Sequence, residues 1–157
     1  MRVGQGIDSH RFGGDGPLVL GGVVVDPNRG VEATSDGDVL VHAVIDALLG
    51  AAALGDLGTH YPSSDERWHG ARSLDLLTDA VSKLSAAGWV PSNVDATVIA
   101  QTVRISPHRE AMRTGLAESL GIDAAAVSVK ATTTDHLGFT GRDEGLAVVA
   151  TVSIVPA

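Results

Sequence analysis

The chain has 157 residues and a formal net charge of −8, and 44% of its residues are apolar although only 3% are aromatic. The acidic balance argues against a broad nucleic-acid-binding surface. The absence of cysteine excludes disulfides and thiolate metal sites. The length fits a single domain over 1–157 with a core of Ala, Val, Leu and Ile, and this composition favours helices packed on a sheet.

The sequence carries no signal for export or membrane insertion. Its first ten residues, MRVGQGIDSH, lack the apolar core of a signal peptide. The longest apolar stretch, Ala47–Leu54, is far too short to span a bilayer. We therefore expect a soluble, cytoplasmic protein whose partners include neither nucleic acid nor membrane.

The first third of the chain predicts two β elements followed by a buried helix. Arg2–Phe12 alternates in polarity before a Gly-Gly pair, which predicts a strand. Pro17–Asp26 is rich in Val and Leu around a second Gly-Gly pair, which is typical of a hairpin. The segment 36–54 is apolar on most faces, which predicts a largely buried helix capped by Ser35 or Asp36.

The rest of the chain intersperses helices with strands. A polar loop covers 59–70, and a loop of this length in a compact domain is often functional. We then predict the helices Ala71–Ala87 and Pro107–Leu120 and the strands Val94–Val103, Val127–Thr132 and Gly145–Val155. The predicted fold class is α/β (an α+β sandwich), with one mixed β-sheet and helices packed on one face.

Asp8 and His10 lie two residues apart on the first predicted strand. Because side chains alternate along a strand, both point to the same face. A carboxylate and an imidazole side by side supply oxygen and nitrogen donors of the kind that zinc binds. An exposed Asp–His pair at a strand edge is the alternative interpretation of so short a motif.

His42 lies among apolar residues in the predicted buried helix. Asp38 and Asp46 stand four residues before and after it, on the same helix face, and we expect one of them to accept the second N–H of the imidazole. Together with Asp8 and His10, His42 would provide three ligands and leave a fourth position open, as in catalytic zinc sites. A buried histidine behind an acidic helix start is the alternative.

The stretch KATTTDHLGFTGRDEG combines residues that suit a phosphate. The hydroxyls of Thr132, Thr133 and Thr134 can bind phosphate oxygens at a strand end. Asp135 could bind Mg²⁺, which prefers one or two carboxylates together with phosphates and water, and Arg142 could pair with a phosphate. The alternative is a threonine-rich strand end followed by a glycine-rich turn.

Two further segments have weaker signals. AQTVRISPH, residues 100–108, could read the edge of a base through its backbone and reach a phosphate through Arg104, or it could be a plain connection. Ser63, Ser64 and Asp65 could bind a ligand or form a solvated turn. The other histidines lack a comparable partner pattern, so we expect them at the surface.

Taken together, these segments resemble the 2-C-methyl-D-erythritol 2,4-cyclodiphosphate synthase family of the non-mevalonate isoprenoid pathway. The resemblance covers nearly the whole chain. It is carried by Asp8 and His10, by SDGDVLVHAVIDALLGAAALGDLG at Ser35–Gly58, by the AQ and PH of AQTVRISPH, and by KATTTDHLGFTGRDEG. The long block at 35–58 is its most specific part.

The resemblance implies a homotrimer with active sites between subunits. It implies zinc at Asp8, His10 and His42, and magnesium or manganese at Asp135 between the substrate phosphates. In the implied reaction, the 2-phosphate of 4-diphosphocytidyl-2-C-methyl-D-erythritol 2-phosphate attacks the β-phosphorus, CMP leaves, and 2-C-methyl-D-erythritol 2,4-cyclodiphosphate forms. No covalent enzyme intermediate is expected.

The resemblance also implies a role for each matching position. Thr34 and Thr133 match catalytic positions, and Thr133 would stabilise the transition state. Matches to substrate contacts are Ser35; Asp56, Leu57 and Gly58 for the erythritol part; Tyr61, Pro62, Ser63, Ser64 and Asp65 in an adjacent mobile loop; Ala100, Gln101, Thr102, Val103, Arg104, Ile105 and Ser106 for cytosine; and Thr132 and Thr134 for the diphosphate. Phe139 and Arg142, with Glu144 tying Arg142, match residues at an axial cavity that is implied to hold an isoprenoid diphosphate.

The chain departs from the family pattern at several positions. Thr34 stands where the family usually has His, and because threonine carries no positive charge near neutral pH, we expect a reduced turnover. Asp135 replaces the commoner Glu and is one methylene shorter. Val103 and Arg104 replace a usual Pro-Lys and keep the cation, whereas Asp143 replaces a usual Gly and weakens the expectation of anion capture at the axial cavity.

Three functions are therefore compatible with the sequence. The first is the cyclase that the resemblance implies. The second is a trimer that binds isoprenoid diphosphates with impaired catalysis, which Thr34 and Arg142 motivate. The third is a zinc-dependent phosphohydrolase, which the predicted metal ligands alone would permit.

Overall fold

A computed structural model describes residues 1–157, and its centre is a four-stranded mixed sheet. The strands of the chain are β1 (Arg2–Arg11), β2 (Leu18–Leu20), β3 (Val23–Asp26), β4 (Trp89–Ile99), β5 (Val127–Thr132) and β6 (Gly145–Pro156). The order in the sheet is β1-β6-β4-β5, where β6 is antiparallel to both neighbours and β4 is parallel to β5. β2 and β3 form a separate hairpin. The chain therefore has two sheets, the predicted mixed sheet and a second sheet of two strands.

Three of the five helices cover one face of the four-stranded sheet. The helices are α1 (Val39–Ala52), α2 (Leu57–His60), α3 (Ser73–Ala86), α4 (Arg109–Leu120) and α5 (Gly138–Gly141), of which α1, α3 and α4 cover the sheet. α1 packs on β1, β6 and β4, α3 packs on α1 and β4, and α4 packs on α3 and β5. The predicted mixed sheet with helices on one face is confirmed. None of the helices combines the length and the apolar character of a membrane-spanning segment.

Two glycines bring α1 unusually close to β1. A Cβ atom on Gly4 would lie 2.0 Å from the carbonyl oxygen of Ala47, and one on Gly6 would lie 2.1 Å from that of Ala43. The strand therefore has no side chain on its inner face over these residues, and the helix backbone rests directly on it. This contact fixes the height of α1 above the strand, and the next inward-pointing residue of the strand is Asp8.

Several element boundaries differ from the sequence prediction. α1 begins later than predicted, because Asp38 rather than Ser35 or Asp36 is its N-cap and accepts the Val41 N–H. β4 begins at Trp89 and passes through Pro91, where the register with β6 shifts. Proline argues against a strand because it has no N–H to donate to a neighbouring strand. The sequence prediction therefore missed the first part of β4.

The loop and turn regions also contain short elements that the sequence did not predict. α2 and a 3-10 turn at Glu66–Trp68 interrupt the predicted loop over 59–70. The predicted helix Pro107–Leu120 is a 3-10 turn at Ser106–His108 followed by α4. α5 lies in the glycine-rich turn before β6. Such elements span only three or four residues, too few for a hydrophobic period to show.

The second face of the sheet carries no helix. On β1 this face presents Val3 and Ile7, which are 61% and 64% exposed. The same face of β6 carries Ala147 and Val149, which are only partly buried, while their neighbours Leu146 and Val148 are fully buried against the helices. One chain thus leaves an apolar strip of its central sheet open.

Candidate metal centre and substrate cavities

Three potential metal ligands converge at the end of β1 and the start of α1. One donor atom from each of Asp8, His10 and His42 lies within 4.8 Å of the others. Oδ2 of Asp8 is 3.1 Å from Nε2 of His10 and 3.1 Å from Nδ1 of His42. This set of two imidazoles and one carboxylate could hold a metal ion, as the sequence predicts.

The packing of α1 on β1 explains why these residues meet. Gly4, Gly6, Asp8 and His10 share the inner face of the strand, since side chains alternate. α1 runs in the opposite direction above them, so that Ala47 lies over Gly4 and Ala43 over Gly6. The N-terminal end of the helix, which carries His42, consequently arrives over Asp8.

The tautomer of His10 is set by a backbone carbonyl. Nδ1 of His10 lies 3.1 Å from the carbonyl oxygen of Glu32, which can only accept a hydrogen bond. Nδ1 in a neutral ring must therefore carry the proton, and Nε2 presents its lone pair to Asp8. An imidazole oriented in this way is suited to ligate a metal ion through Nε2.

The electrostatics of the cluster favour a cation. Burial alone would raise the pKa of Asp8, but hydrogen bonds with His10 and His42 outweigh this effect and hold the pKa well below its usual range. The hydrogen bond with Asp8 raises the pKa of His10 above its ordinary value, although burial opposes the shift. The pocket thus holds a carboxylate that stays ionised and attracts positive charge.

The predicted partners of His42 are wrong. Asp38 is fully buried and accepts the N–H groups of Gly21, Gly22 and Val41, so it ties the β2–β3 hairpin to the start of α1. Burial raises the pKa of Asp38 to about 6, although these three hydrogen bonds oppose the shift.

Asp46 is likewise occupied elsewhere. It accepts the Leu57 N–H at 2.6 Å and so fastens the start of α2 to α1. His42 instead directs Nε2 at the hydroxyls of Ser73, at 3.0 Å, and Ser35, at 3.2 Å. The sequence could not reveal Ser73, because that residue is brought in by packing of α3 on α1.

A cavity of about 170 Å³ opens beside the three ligands. The predicted site residues that line it are Asp8, His10, Thr34, Ser35, His42, Leu57, Tyr61 and Ser63. Ala33, Trp68 and Leu76 complete the wall and were missed by the sequence prediction. The cavity therefore joins the ligand cluster to a largely apolar pocket formed by α2, α3 and the loop over 59–70.

Other predicted residues of this region do not line the cavity. Asp56 caps α2 by accepting the N–H and the hydroxyl of Thr59, and Asp65 pairs with Arg67. The remaining predicted positions outside the lining are Gly58, Pro62 and Ser64. Within the lining, the phenol of Tyr61 donates to Asp79 at 2.7 Å, so this side chain is anchored to α3.

The predicted nucleotide-binding residues line a different cavity, of about 560 Å³. Its wall consists of Ala100, Gln101, Thr102, Val103, Arg104, Ile105, Ser106, Pro107, Ala131, Thr132 and Thr133. It lies where the parallel strands β4 and β5 end, because both segments leave the sheet at the same edge. Within one chain, this cavity shares no lining residue with the one beside the metal ligands.

The remaining predicted residues surround the turn before β6. Thr134 donates its hydroxyl to the carbonyl of Leu137 at 2.6 Å. Asp135 is exposed and has a left-handed backbone with φ of 52°. Phe139 is 44% exposed and shares a shallow cavity with His10 and Glu144.

Two ion pairs organise this turn. Arg142 pairs with Glu144 at 2.9 Å, as predicted. Asp143 adopts a left-handed φ of 59° and pairs with Arg29 at 2.6 Å. Arg29 also donates to the hydroxyl of Thr102 at 2.7 Å, so it links the turn to the wall of the larger cavity. Arg29 was missed by the sequence prediction, because its partners Thr102 and Asp143 lie far along the chain.

Comparisons with known proteins agree with this geometry. Residues 1–155 match the model of the YgbB family. The 2-C-methyl-D-erythritol 2,4-cyclodiphosphate synthase of Alkalilimnicola ehrlichii is 57% identical over 98% of this chain and 94% of its own. The chain belongs to the YgbB family. The enzyme class that the sequence resemblance predicts, a cyclodiphosphate synthase, is confirmed.

Solved structures of two similar proteins share this fold. The bifunctional IspDF of Campylobacter jejuni superimposes with a TM-score of 0.96 at 43% identity, and the match covers 99% of this chain but only 42% of that longer one. IspF of Plasmodium falciparum, solved as a CDP complex, superimposes with a TM-score of 0.85 at 32% identity over 99% of this chain and 96% of that one.

Proposed function

We propose that the chain, as a single synthase domain over 1–157, converts 4-diphosphocytidyl-2-C-methyl-D-erythritol 2-phosphate into 2-C-methyl-D-erythritol 2,4-cyclodiphosphate and CMP. The observation that carries this proposal is the convergence of Asp8, His10 and His42 beside a cavity in a chain of this family. An oxygen of the substrate's 2-phosphate attacks the β-phosphorus, the bond from that phosphorus to the bridging oxygen breaks, and CMP leaves. The nucleophile belongs to the substrate, so the protein needs to supply only position and charge.

We assign zinc to Asp8, His10 and His42, and magnesium or manganese to Asp135 together with the substrate phosphates. The donor chemistry supports the first assignment, because the three inward-facing atoms are two imidazole nitrogens and a carboxylate oxygen. The bound cations would supply Lewis acidity and neutralise phosphate charge. Asp135 is exposed and adjoins the threonine segment, which suits a metal bound mainly through phosphates and water.

The chain's own residues bind and orient the two ends of the substrate. Leu57, Tyr61 and Trp68 offer apolar surface to the erythritol part in the smaller cavity. The backbone of 100–106 offers donors and acceptors to cytosine in the larger one, and Thr132 and Thr133 line the same space. Thr133 is the hydroxyl that we assign to stabilising charge on the transferring phosphate. Thr34 lies beside the metal ligands and donates at most one hydrogen bond.

A homotrimer would bring the two cavities together. In one chain the metal ligands and the nucleotide segment line separate spaces, whereas a cyclisation needs both ends of one substrate in a common site. The uncovered sheet face, with Val3 and Ile7 exposed, offers the apolar surface for such an association. The same assembly would place Phe139 and Arg142 near an axis, where an isoprenoid diphosphate is a further proposed ligand. We place this assembly in the cytoplasm.

One incubation separates the candidate functions. The protein is mixed with the cytidyl substrate, Zn²⁺ and Mg²⁺, and the products are resolved by ³¹P NMR. We expect CMP and a cyclic diphosphate in equal amounts. CMP with an acyclic product would instead identify a phosphohydrolase, and no turnover would leave a binding protein whose catalysis Thr34 has impaired.

The Thr34→His variant tests the role of that position in the same assay. A positively charged donor beside the cavity should increase kcat, because Thr34 cannot carry charge near neutral pH. An unchanged or lower kcat would show that another group already compensates for the threonine.

A further inference from the structure

We propose that Ser73, held in place by Asp36, is a positioning residue that fixes the tautomer of His42 and so aims Nδ1 of that histidine at the metal ion. This inference deepens the proposed metal site and rests on it. Ser73 is the first residue of α3 and is fully buried. No pattern in the sequence connects it with His42, since the two belong to different helices.

The contacts of Ser73 form a short chain that starts at a carboxylate. Asp36 accepts both the backbone N–H of Ser73, at 2.9 Å, and the hydroxyl of Ser73. The hydroxyl oxygen of Ser73 then lies 3.0 Å from Nε2 of His42. On the other side of the ring, Nδ1 of His42 is 3.1 Å from Oδ2 of Asp8.

The position of each proton follows from the number of donors. A serine hydroxyl has one proton, and a carboxylate accepts but does not donate. Because Ser73 donates its proton to Asp36, its oxygen can only accept from His42. Nε2 of His42 must therefore carry a proton, and the neutral ring has its lone pair on Nδ1, which faces Asp8.

His10 is oriented in the same way from a different direction. Its Nδ1 donates to the carbonyl of Glu32, so its Nε2 lone pair also faces Asp8. With both rings neutral, the two imidazoles present lone pairs to a carboxylate oxygen, and only a bound proton or metal cation makes this arrangement attractive. Glu32 and Ser73 are the two outer groups that direct these lone pairs toward the centre. Hydrogen-bond partners of this kind typically contribute roughly 10–100-fold to metal affinity.

The contact between His42 and Ser35 does not replace that with Ser73. The Ser35 hydroxyl oxygen is farther from Nε2, at 3.2 Å, and it already accepts the Gly37 N–H. No carboxylate among its hydrogen bonds fixes the direction of its proton. Ser35 can share the Nε2 proton, but only the Asp36–Ser73 pair determines that the proton is there.

The test measures zinc affinity and the histidine tautomer in the full chain. Zinc dissociation constants are obtained by competition with a chromogenic chelator for wild type, Ser73→Ala and Asp36→Asn. We expect Ser73→Ala to bind zinc about 10–100-fold more weakly and Asp36→Asn to show a smaller loss. Ser82→Ala, the same substitution at an exposed position of α3, is the matched control and should bind as wild type does.

Histidine ¹⁵N NMR of the zinc-loaded wild type reads the tautomer directly and needs no variant to fold. We expect the proton of His42 on Nε2, with slow solvent exchange that becomes fast in Ser73→Ala. A proton on Nδ1, or equal zinc affinity in wild type and Ser73→Ala, would overturn the role of Ser73. Failure of wild type to bind zinc would instead overturn the proposed metal site, and that result is distinguishable because it does not depend on Ser73.

Discussion

At the level of single residues, the candidate metal site depends on groups outside its three potential ligands. The carbonyl of Glu32 and the hydroxyl of Ser73 each occupy one nitrogen of an imidazole, and this leaves the other nitrogen directed at Asp8. The ligand types follow from the residues Asp8, His10 and His42 themselves. The ability of the two histidines to bind a metal ion depends on these contacts with Glu32 and Ser73. A neutral histidine offers a lone pair only at the nitrogen that lacks the proton.

Replacing His42 should remove the metal without unfolding the chain. In His42→Ala the cluster retains one imidazole and one carboxylate, which is too few for a stable zinc site, so we expect sub-stoichiometric zinc after dialysis and turnover at background. The measurement is elemental analysis of the dialysed protein together with the CMP-release assay.

The control is His69→Ala, since His69 is exposed and does not line the cavity beside the ligands. It should retain both zinc and turnover. Full activity of a metal-free His42→Ala protein would contradict the assignment of zinc to this cluster.

At the level of elements, the site is assembled by the close packing of α1 on β1. Gly4 and Gly6 let the helix backbone approach the strand. Asp38, the N-cap of α1, then fastens the β2–β3 hairpin to the start of the helix, and Asp46, in the middle of α1, fastens the start of α2. Neither aspartate accepts the second N–H of His42 as predicted, because each accepts backbone N–H groups at a helix start or in the hairpin turn instead.

A methyl group on Gly6 should separate these two elements. Its Cβ would lie 2.1 Å from the carbonyl oxygen of Ala43, within the backbone of α1. We expect Gly6→Ala to destabilise the chain by about 1–3 kcal/mol or more and to weaken zinc binding, since His42 moves with the helix. Urea unfolding and chelator competition measure the two effects.

Gly50→Ala is a matched control within α1 itself. A Cβ atom on Gly50 would meet nothing within 4 Å beyond its chain neighbours and the nearby helix backbone, so this variant should be more stable by about 0.5–1 kcal/mol because alanine favours the helix. Equal stability of Gly6→Ala and wild type would show that the strand and helix can separate freely.

At the level of the whole molecule, helices cover only one of the two faces of the sheet. The helices cover the inner face of the sheet, whereas Val3 and Ile7 remain exposed on the other face. The cavity beside the metal ligands and the cavity at the nucleotide segment also remain separate within one chain. Both features are consistent with a site that a second copy completes.

A charge on the open sheet face should disrupt that association. Ile7→Lys introduces a cation into the apolar strip, and burying an unpaired charge is strongly unfavourable. We expect light scattering to show a trimer for wild type and a monomer for Ile7→Lys, with loss of cyclase activity but retention of zinc.

Val24→Lys serves as the control because Val24 is also an exposed apolar residue, at 48%, but belongs to the β2–β3 hairpin. It should remain trimeric and active. A trimer in Ile7→Lys would place the contact surface elsewhere on the molecule.

Much of this protein is determined by local patterns that the sequence displays. Period-2 alternation predicts β1 and the common face of Asp8 and His10, and the apolar run after Asp38 predicts α1 with His42 inside it. The family-specific block Ser35–Gly58 predicts the enzyme class. These conclusions succeed because they depend on neighbours within one or two turns of chain.

The tertiary structure alone decided which groups meet across the chain. Ser73 rather than Asp38 or Asp46 supports His42, and Arg29 joins Asp143 and Thr102. The separation of the two cavities is also a matter of packing. A hydrogen bond needs a partner at about 3 Å in the right direction, and distance along the chain says nothing about which residue packing will bring there.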